Sequence, residues 1–303
     1  MKFKSKRITS LILAIIMVMT FVTPNISFAA TATDSDLDGI PDSLEGYCPT
    51  AELFQATPSF PTDSFTASGA DYVTINPTGG KATTDLAITV DGTSREQVKF
   101  AGAYEFYDNA ELTGDNVDNN TSLILHIGGA NGTTFFTAGS TTEEPDSFTV
   151  FIPQEISKVI GNGTPASPWK VQVTYYADVD GNGSFSATKD IQIKQLYTYV
   201  NGTTHYRRDY QIIVGSGAGK SATKTLKIYE WRDAQFNGQD DAGYGMYVDT
   251  AGAIKRGENK VVPDAKMVGI LEDKGGGDLN GVFMAFVQVS PWKSYFVNAY
   301  DLG

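Results

Sequence analysis

The chain has 303 residues, with 35 acidic against 23 basic side chains and a net charge of −12 at pH 7. Such an excess of negative charge repels phosphate backbones, so nucleic acid is a poor partner, while calcium and other hard cations are attracted. A single cysteine, Cys48, excludes an intramolecular disulfide, so stability must come from an apolar core and from any bound ions.

The first residues read as an export leader. Lys2, Lys4, Lys6 and Arg7 precede the apolar run Ile8 to Val22, and Ser27-Phe28-Ala29 offers the small residues a signal peptidase reads. Cleavage is expected after Ala29, with Ala30-Thr31-Ala32 as a second place for it. The run is short for a membrane span of roughly twenty residues, and Pro24 interrupts its end. No membrane contact is therefore expected after the leader is lost. Its removal takes four cations, leaving 19 basic against 35 acidic residues and a net charge of −16.

The next segment, 30–50, contains Asp34-Ser-Asp36-Leu-Asp38-Gly39-Ile40-Pro-Asp42-Ser-Leu-Glu45. Calcium takes six to eight oxygen ligands, and a twelve-residue loop supplies them from fixed positions. Asp34, Asp36 and Asp38 stand at positions 1, 3 and 5, and Gly39 at position 6 permits the sharp turn. The Ile40 carbonyl fits position 7, Asp42 fits position 9 directly or through water, and Glu45 fits the bidentate position 12. This string resembles a thrombospondin type 3-like calcium repeat of bacterial surface proteins, and also the calcium segment in the translocation component of bacterial binary toxins. The resemblance implies Asp34, Asp36, Asp38, the Ile40 carbonyl and Glu45 as ligands. It covers about fifteen residues in a single copy, so it implies a bound ion and no particular activity. Cys48, just after the loop, either packs beside it or pairs between chains.

After a Pro/Ser/Thr-containing linker at 51–62, β-branched and aromatic runs alternate with Gly, Asn, Asp and Pro clusters. Strands are expected at Tyr72–Ile75, Asp85–Val90, Val98–Tyr107, Ser122–Ile127, Ser147–Ile152, Trp169–Tyr176, Ile191–Val200 and Tyr206–Val214. The series continues at Thr225–Trp231, Met267–Leu271, Val282–Val289 and Ser294–Ala299. In Val171-Gln-Val173-Thr-Tyr175 the apolar residues fall on one face, as a half-buried antiparallel strand requires. Asp91-Gly92, Asn131-Gly132, Asn162-Gly163, Asn201-Gly202 and Asn237-Gly238 mark tight turns. The only helical candidates are the turn after Pro41 and Pro153 to Val159. The expected class is all-β, with antiparallel β-sandwiches of immunoglobulin-like or jelly-roll-like form behind a short N-terminal calcium loop. A first sandwich is placed at 63–202. Residues 203–303 form a second one or continue the first.

Between two expected strands, Asp178-Val-Asp180-Gly-Asn182-Gly-Ser184 begins like another calcium loop, with a further donor at Ser186. The candidate ligands are Asp178, Asp180, Asn182 and Ser184. Lys189 stands at position 12, where a bidentate acid belongs, and Asp190 comes one place late. The segment therefore reads either as a looser calcium site or as a plain hairpin tip. Asp115-Asn116-Val-Asp118-Asn119 is a weaker case and reads as a solvated turn.

Other motifs carry less. Gly215-Ser-Gly217-Ala-Gly219-Lys220-Ser221 lacks the spacing of a phosphate-binding loop and precedes a strand, not a helix. His126 reads as a strand residue and His205 as an exposed strand position. No Gly-Xaa-Ser-Xaa-Gly elbow or His-Glu-Xaa-Xaa-His helix is present, and the carboxylates are too many to nominate a hydrolytic pair. The aromatic residues Trp231, Tyr244, Tyr247 and Trp292 either fill a core or offer platforms to a glycan. These features point to a secreted, calcium-stabilised surface or matrix protein of Gram-positive type, structural or adhesive and non-enzymatic. Its partners would be cell-wall or host glycans or other surface proteins. A carbohydrate-binding module is the second reading, and a secreted glycosidase or toxin component a third.

Overall fold

The computed structural model describes residues 65–104, 121–129, 132–138, 148–217, 225–232, 243–249, 254–256, 260–263, 267–272, 283–287 and 294–297. The leader, the Asp34–Glu45 loop, the turn after Pro41, Cys48, the linker, and the Asp115–Asn119 and Asn237-Gly238 turns lie outside these residues.

The described part is all-β, and no helix in it is long and apolar enough to cross a membrane. In chain order the strands are β1 (Tyr72–Ile75), β2 (Ala87–Asp91), β3 (Glu96–Phe100), β4 (Ala103–Tyr104), β5 (Thr121–Gly129), β6 (Gly132–Thr137), β7 (Phe148–Val150), β8 (Ile152–Ile156) and β9 (Trp169–Ala177). They continue with β10 (Ile191–Tyr199), β11 (Tyr206–Val214), β12 (Thr225–Arg232), β13 (Gly243–Val248), β14 (Ile254–Arg256), β15 (Lys260–Pro263), β16 (Met267–Glu272), β17 (Phe283–Val287) and β18 (Ser294–Val297). Four four-stranded sheets form, ordered β1-β2-β3-β4, β11-β10-β9-β8, β12-β5-β6-β7 and β14-β13-β16-β17, with a β15-β18 pair beside them. Pairing is antiparallel except between β6 and β7. Of the strands beyond residue 202, β11 and β12 extend earlier sheets, running along β10 and β5, whereas β13 to β18 pair, among the described residues, only with one another.

Strand alternation explains the core. Val171, Val173 and Tyr175 of β9 are each fully buried on one face, as their spacing demands. They meet Ile191, Ile193, Tyr197 and Tyr199 of β10, Ile88 and Val90 of β2, and Leu123 and Leu125 of β5 in one apolar cluster. Three separate sheets thus close over a common interior, the arrangement of a β-sandwich. Met284 of β17 packs against the same cluster.

Four polar residues inside this core bond to one another. Ser94 Oγ donates to the Tyr175 hydroxyl, which donates to Gln195 Oε1. Gln195 Nε2 donates to the Tyr197 hydroxyl, which returns a bond to the Ser94 carbonyl. Each deleted member would leave a desolvated partner, which is why such closed sets hold one arrangement. Burial drives the phenol pKa values upward, Tyr199 to about 12.

A charged cluster joins the sheets. Arg208 of β11 lies 3.1 Å from Glu230 of β12 and 3.5 Å from Glu96 of β3, and its guanidinium is 5.3 Å from the Phe286 ring of β17. Tyr206 donates a 2.6 Å hydrogen bond to Glu96. One guanidinium therefore touches a member of each four-stranded sheet other than its own. Burial pushes the Glu230 carboxyl up, against the opposing pull of Arg208.

Two local expectations need correction. Pro153 to Val159 is no helix: Ile152–Ile156 is edge strand β8, paired with β9 through a register shift between Pro153 and Glu155. Proline cannot donate to the ladder, so it is admitted at an edge and at a bulge. The run Val98–Tyr107 does not stay one strand, because it folds back at Ala101-Gly102 to make the β3–β4 hairpin. The tight turn expected at Asp91-Gly92 is present between β2 and β3; its left-handed residue is Ser94, with φ 66°, and it is held by Asp91 Oδ1 accepting the Thr93 and Arg95 N–H groups. Strand β6 was not anticipated, although Thr133-Thr134-Phe135-Phe136 has the composition of one.

Candidate metal centre

Strands β9 and β10 pair in register from Trp169↔Tyr199 to Ala177↔Ile191. The long hairpin loop 178–190 then emerges from the end of this ladder. The hairpin expected here from sequence is present, and three acidic groups gather toward the base of its loop. Val179 packs against the core and Phe185 stacks edge-on against Tyr176 with ring centres 5.3 Å apart. Those two apolar contacts anchor an otherwise polar, solvated loop.

Asp178, Asp180 and Asp190 each place one carboxylate oxygen within 4.8 Å of the others. Asp180 is exposed, Asp178 half-buried and Asp190 buried, at 1% exposure. The first carboxylate is oriented by the loop's own backbone. Asp178 Oδ1 accepts the Gly181 and Asn182 N–H groups at 2.9 and 3.2 Å, and Oδ2 accepts that of Gly183 at 2.6 Å. Asp190 clasps the other side, with Oδ1 accepting Val179 N–H at 3.0 Å and Oδ2 accepting Ser186 N–H at 2.7 Å. Its backbone N–H also donates to the Ser186 carbonyl. A carboxylate oxygen has two lone pairs, so one hydrogen bond leaves capacity for a cation.

Gly215 and Gly217, just after β11, serve this loop. Gly215 N–H donates to the Asp190 carbonyl at 2.9 Å, and Gly217 N–H to that of Thr188. A Cβ on Gly215 would lie 2.6 Å from the Thr188 carbonyl carbon, so the close backbone approach needs glycine.

Asp180 also meets Lys189, whose Nζ lies 2.9 Å from Oδ2. Hydrogen bonding to that ammonium holds the Asp180 carboxyl below the usual carboxylate range. Of the candidate ligands, Asp178 and Asp180 come together as the spacing indicates. Asn182 is engaged locally, its Oδ1 accepting the Ser184 N–H at 2.8 Å. The third carboxylate is instead Asp190, which sequence spacing places one residue too far along for a twelve-residue loop. Reading the pattern as one closed by the next strand's first residues, and not by loop position, would have found it.

The three oxygens suit a hard divalent ion rather than a soft one, since carboxylates favour magnesium, calcium and manganese over thiophilic metals. Three carboxylates against one ammonium leave an excess of negative charge for such an ion to neutralise. This group can hold a metal ion.

The other candidates fall elsewhere. Tyr247 of β13 is buried, at 8% exposure, so its ring is not offered to a sugar and its candidacy as a glycan contact is withdrawn. Trp231 lies on β12 opposite Ser122 and Tyr244 on β13 opposite Leu271, but their side chains, like Trp292, are outside the described residues. His126 is a strand residue of β5, stacked on Phe135 at 4.6 Å. His205 is half-buried just before β11, not exposed on a strand, and burial pushes its imidazole down to about 4. Comparison of the chain with protein-family models, with curated proteins and with solved structures finds no match, so the chain's own geometry carries the functional argument.

Proposed function

We propose that this is a secreted or surface-held bacterial protein whose β-sandwich is stabilised by calcium and serves a structural or adhesive role. The observation that carries the reading is the Asp178, Asp180 and Asp190 group, gathered at the end of a hairpin rooted in the core. Calcium is the ion that best fits all-oxygen donors in a partly exposed loop, and millimolar calcium outside a cell suffices for a weak site. The leader-like first residues, the acidic composition and the calcium-repeat-like string Asp34–Glu45 agree with that setting.

Calcium acts here as a fastener. An ion bridging residue 178 to residue 190 closes the loop against the β9–β10 ladder, so it binds the folded chain better than the unfolded one. For a dissociation constant of about 1 mM, 10 mM calcium contributes about 1.4 kcal/mol, or a rise of about 3–5 °C in melting temperature for a domain of this size. Thermal unfolding and limited proteolysis, each with calcium and with chelator, test the proposal. Asp180→Asn should lose most of the rise in melting temperature, and Asp36→Ala should lose calcium-dependent protection near 31–50. Identical melting and identical cleavage with calcium and with chelator would refute the reading.

A further inference from the structure

Resting on the calcium reading of the 178–190 loop, we propose that Lys189 is the loop's own tethered cation, holding Asp180 when no divalent ion is bound and setting the affinity by competing with one. The ammonium sits 2.9 Å from Asp180 Oδ2. The three carboxylates are supported unequally. Asp178 and Asp190 are oriented by five backbone N–H groups, from Gly181, Asn182, Gly183, Val179 and Ser186. Asp180 has Lys189 as its main partner, a long, movable cation whose side chain is 59% exposed, and takes only one backbone hydrogen bond, from Asn182.

The placement has chemical meaning. Lys189 occupies the twelfth position of the loop, where a carboxylate would add a ligand and a negative charge, and it directly precedes the buried Asp190. A cation there neutralises part of the cluster's charge and keeps the loop closed without metal. For a divalent ion to use Asp180, the ammonium must leave that oxygen. Its departure is cheap, because an exposed lysine regains rotamer freedom and full hydration. Until it moves far away, it repels the incoming ion. At about 4 Å the repulsion between a unit charge and a divalent ion weakens binding on the order of tenfold even at the dielectric constant of water. The site is therefore weak and salt-sensitive by construction, and it saturates only where calcium is abundant.

Calcium titration by calorimetry on the whole chain tests this, comparing the native protein with Lys189→Met and Asp180→Asn. Lys189 is exposed, so its replacement leaves the core intact. The binding class that disappears in D180N should tighten about tenfold in K189M, and the gap between native and K189M should narrow as sodium chloride is raised from 20 to 500 mM, values of our choosing that span the Debye lengths of roughly 20 to 4 Å. If K189M binds that class no more tightly than the native chain, Lys189 is not a competitor, while the calcium site itself stands. If D180N titrates like the native protein, the loop holds no calcium and both the reading and this inference fall.

Discussion

Replacing Arg208 with methionine should cost the fold about 3–5 kcal/mol at pH 7. The side chain is 9% exposed, and its two acidic partners, Glu96 and Glu230, are 0% and 12% exposed. Methionine retains most of the aliphatic stem, so the apolar packing is largely kept and the change isolates the charge. Two carboxylates from different sheets would then lie close together without the guanidinium between them, and desolvation outweighs any relief of packing. With a urea dependence of about 2–3 kcal/mol per molar, the unfolding midpoint should fall by about 1–2 M. The direction with pH follows from linkage. Burial already raises the Glu230 carboxyl above its unfolded value, and loss of Arg208 raises it further. A carboxyl raised in the folded state contributes stability that is present below the unfolded value near 4.3 and lost as pH rises through the folded one. The deficit of R208M should accordingly shrink as pH is lowered from 7 to 5. The double variant R208M/E230Q should recover at least 1 kcal/mol relative to the sum of the single changes. A deficit below about 1 kcal/mol that stays constant with pH would show that water reaches the carboxylates and that the cluster is no brace.

Burial pushes the His205 imidazole down to about 4, against an ordinary value near 6.5, so its native form is the neutral one. Its share of stability is present above about 6.5 and lost as pH falls toward 4, up to about 3 kcal/mol. His205→Gln should flatten that part of a pH series of unfolding midpoints, and an unchanged slope would refute the assignment. Gly161→Ala should cost about 2 kcal/mol or more, because φ is +89° and a Cβ would lie 2.0 Å from the Pro168 carbonyl oxygen. Thermal melting reads it, and a loss below about 0.5 kcal/mol would mean the turn can relax.

How legible the candidate site was follows from its residues. Asp178 and Asp180 could be singled out because alternate acidic residues with following glycines form a local pattern, and the loop folds mostly by its own hydrogen bonds. Asp190 could not, because it enters through the β9–β10 register and the burial of Ile191 beside it. Lys189 looked like a defect in a ligand pattern, whereas in the folded loop it is a paired cation. Tyr247 was open to both core and glycan contact, with core favoured, and its burial in the folded chain decides for the core.

By itself the sequence determined the all-β class and most strand positions, Tyr72–Ile75 and Tyr206–Val214 to the residue, because alternation and β-branched content act within a few residues. It also determined the acidity, and so the kind of ion the chain can attract. Tertiary structure alone decided that β12 returns to β5 and β11 to β10, since pairings across more than a hundred residues or between similar apolar runs leave no local trace. It decided that Pro153 lies in an edge strand, where a neighbouring ladder outweighs local preference. It also decided which charges meet: Arg208 reaches acids of two other sheets, and Asp178 reaches Asp190, because strand register sets distances that spacing along the chain does not contain.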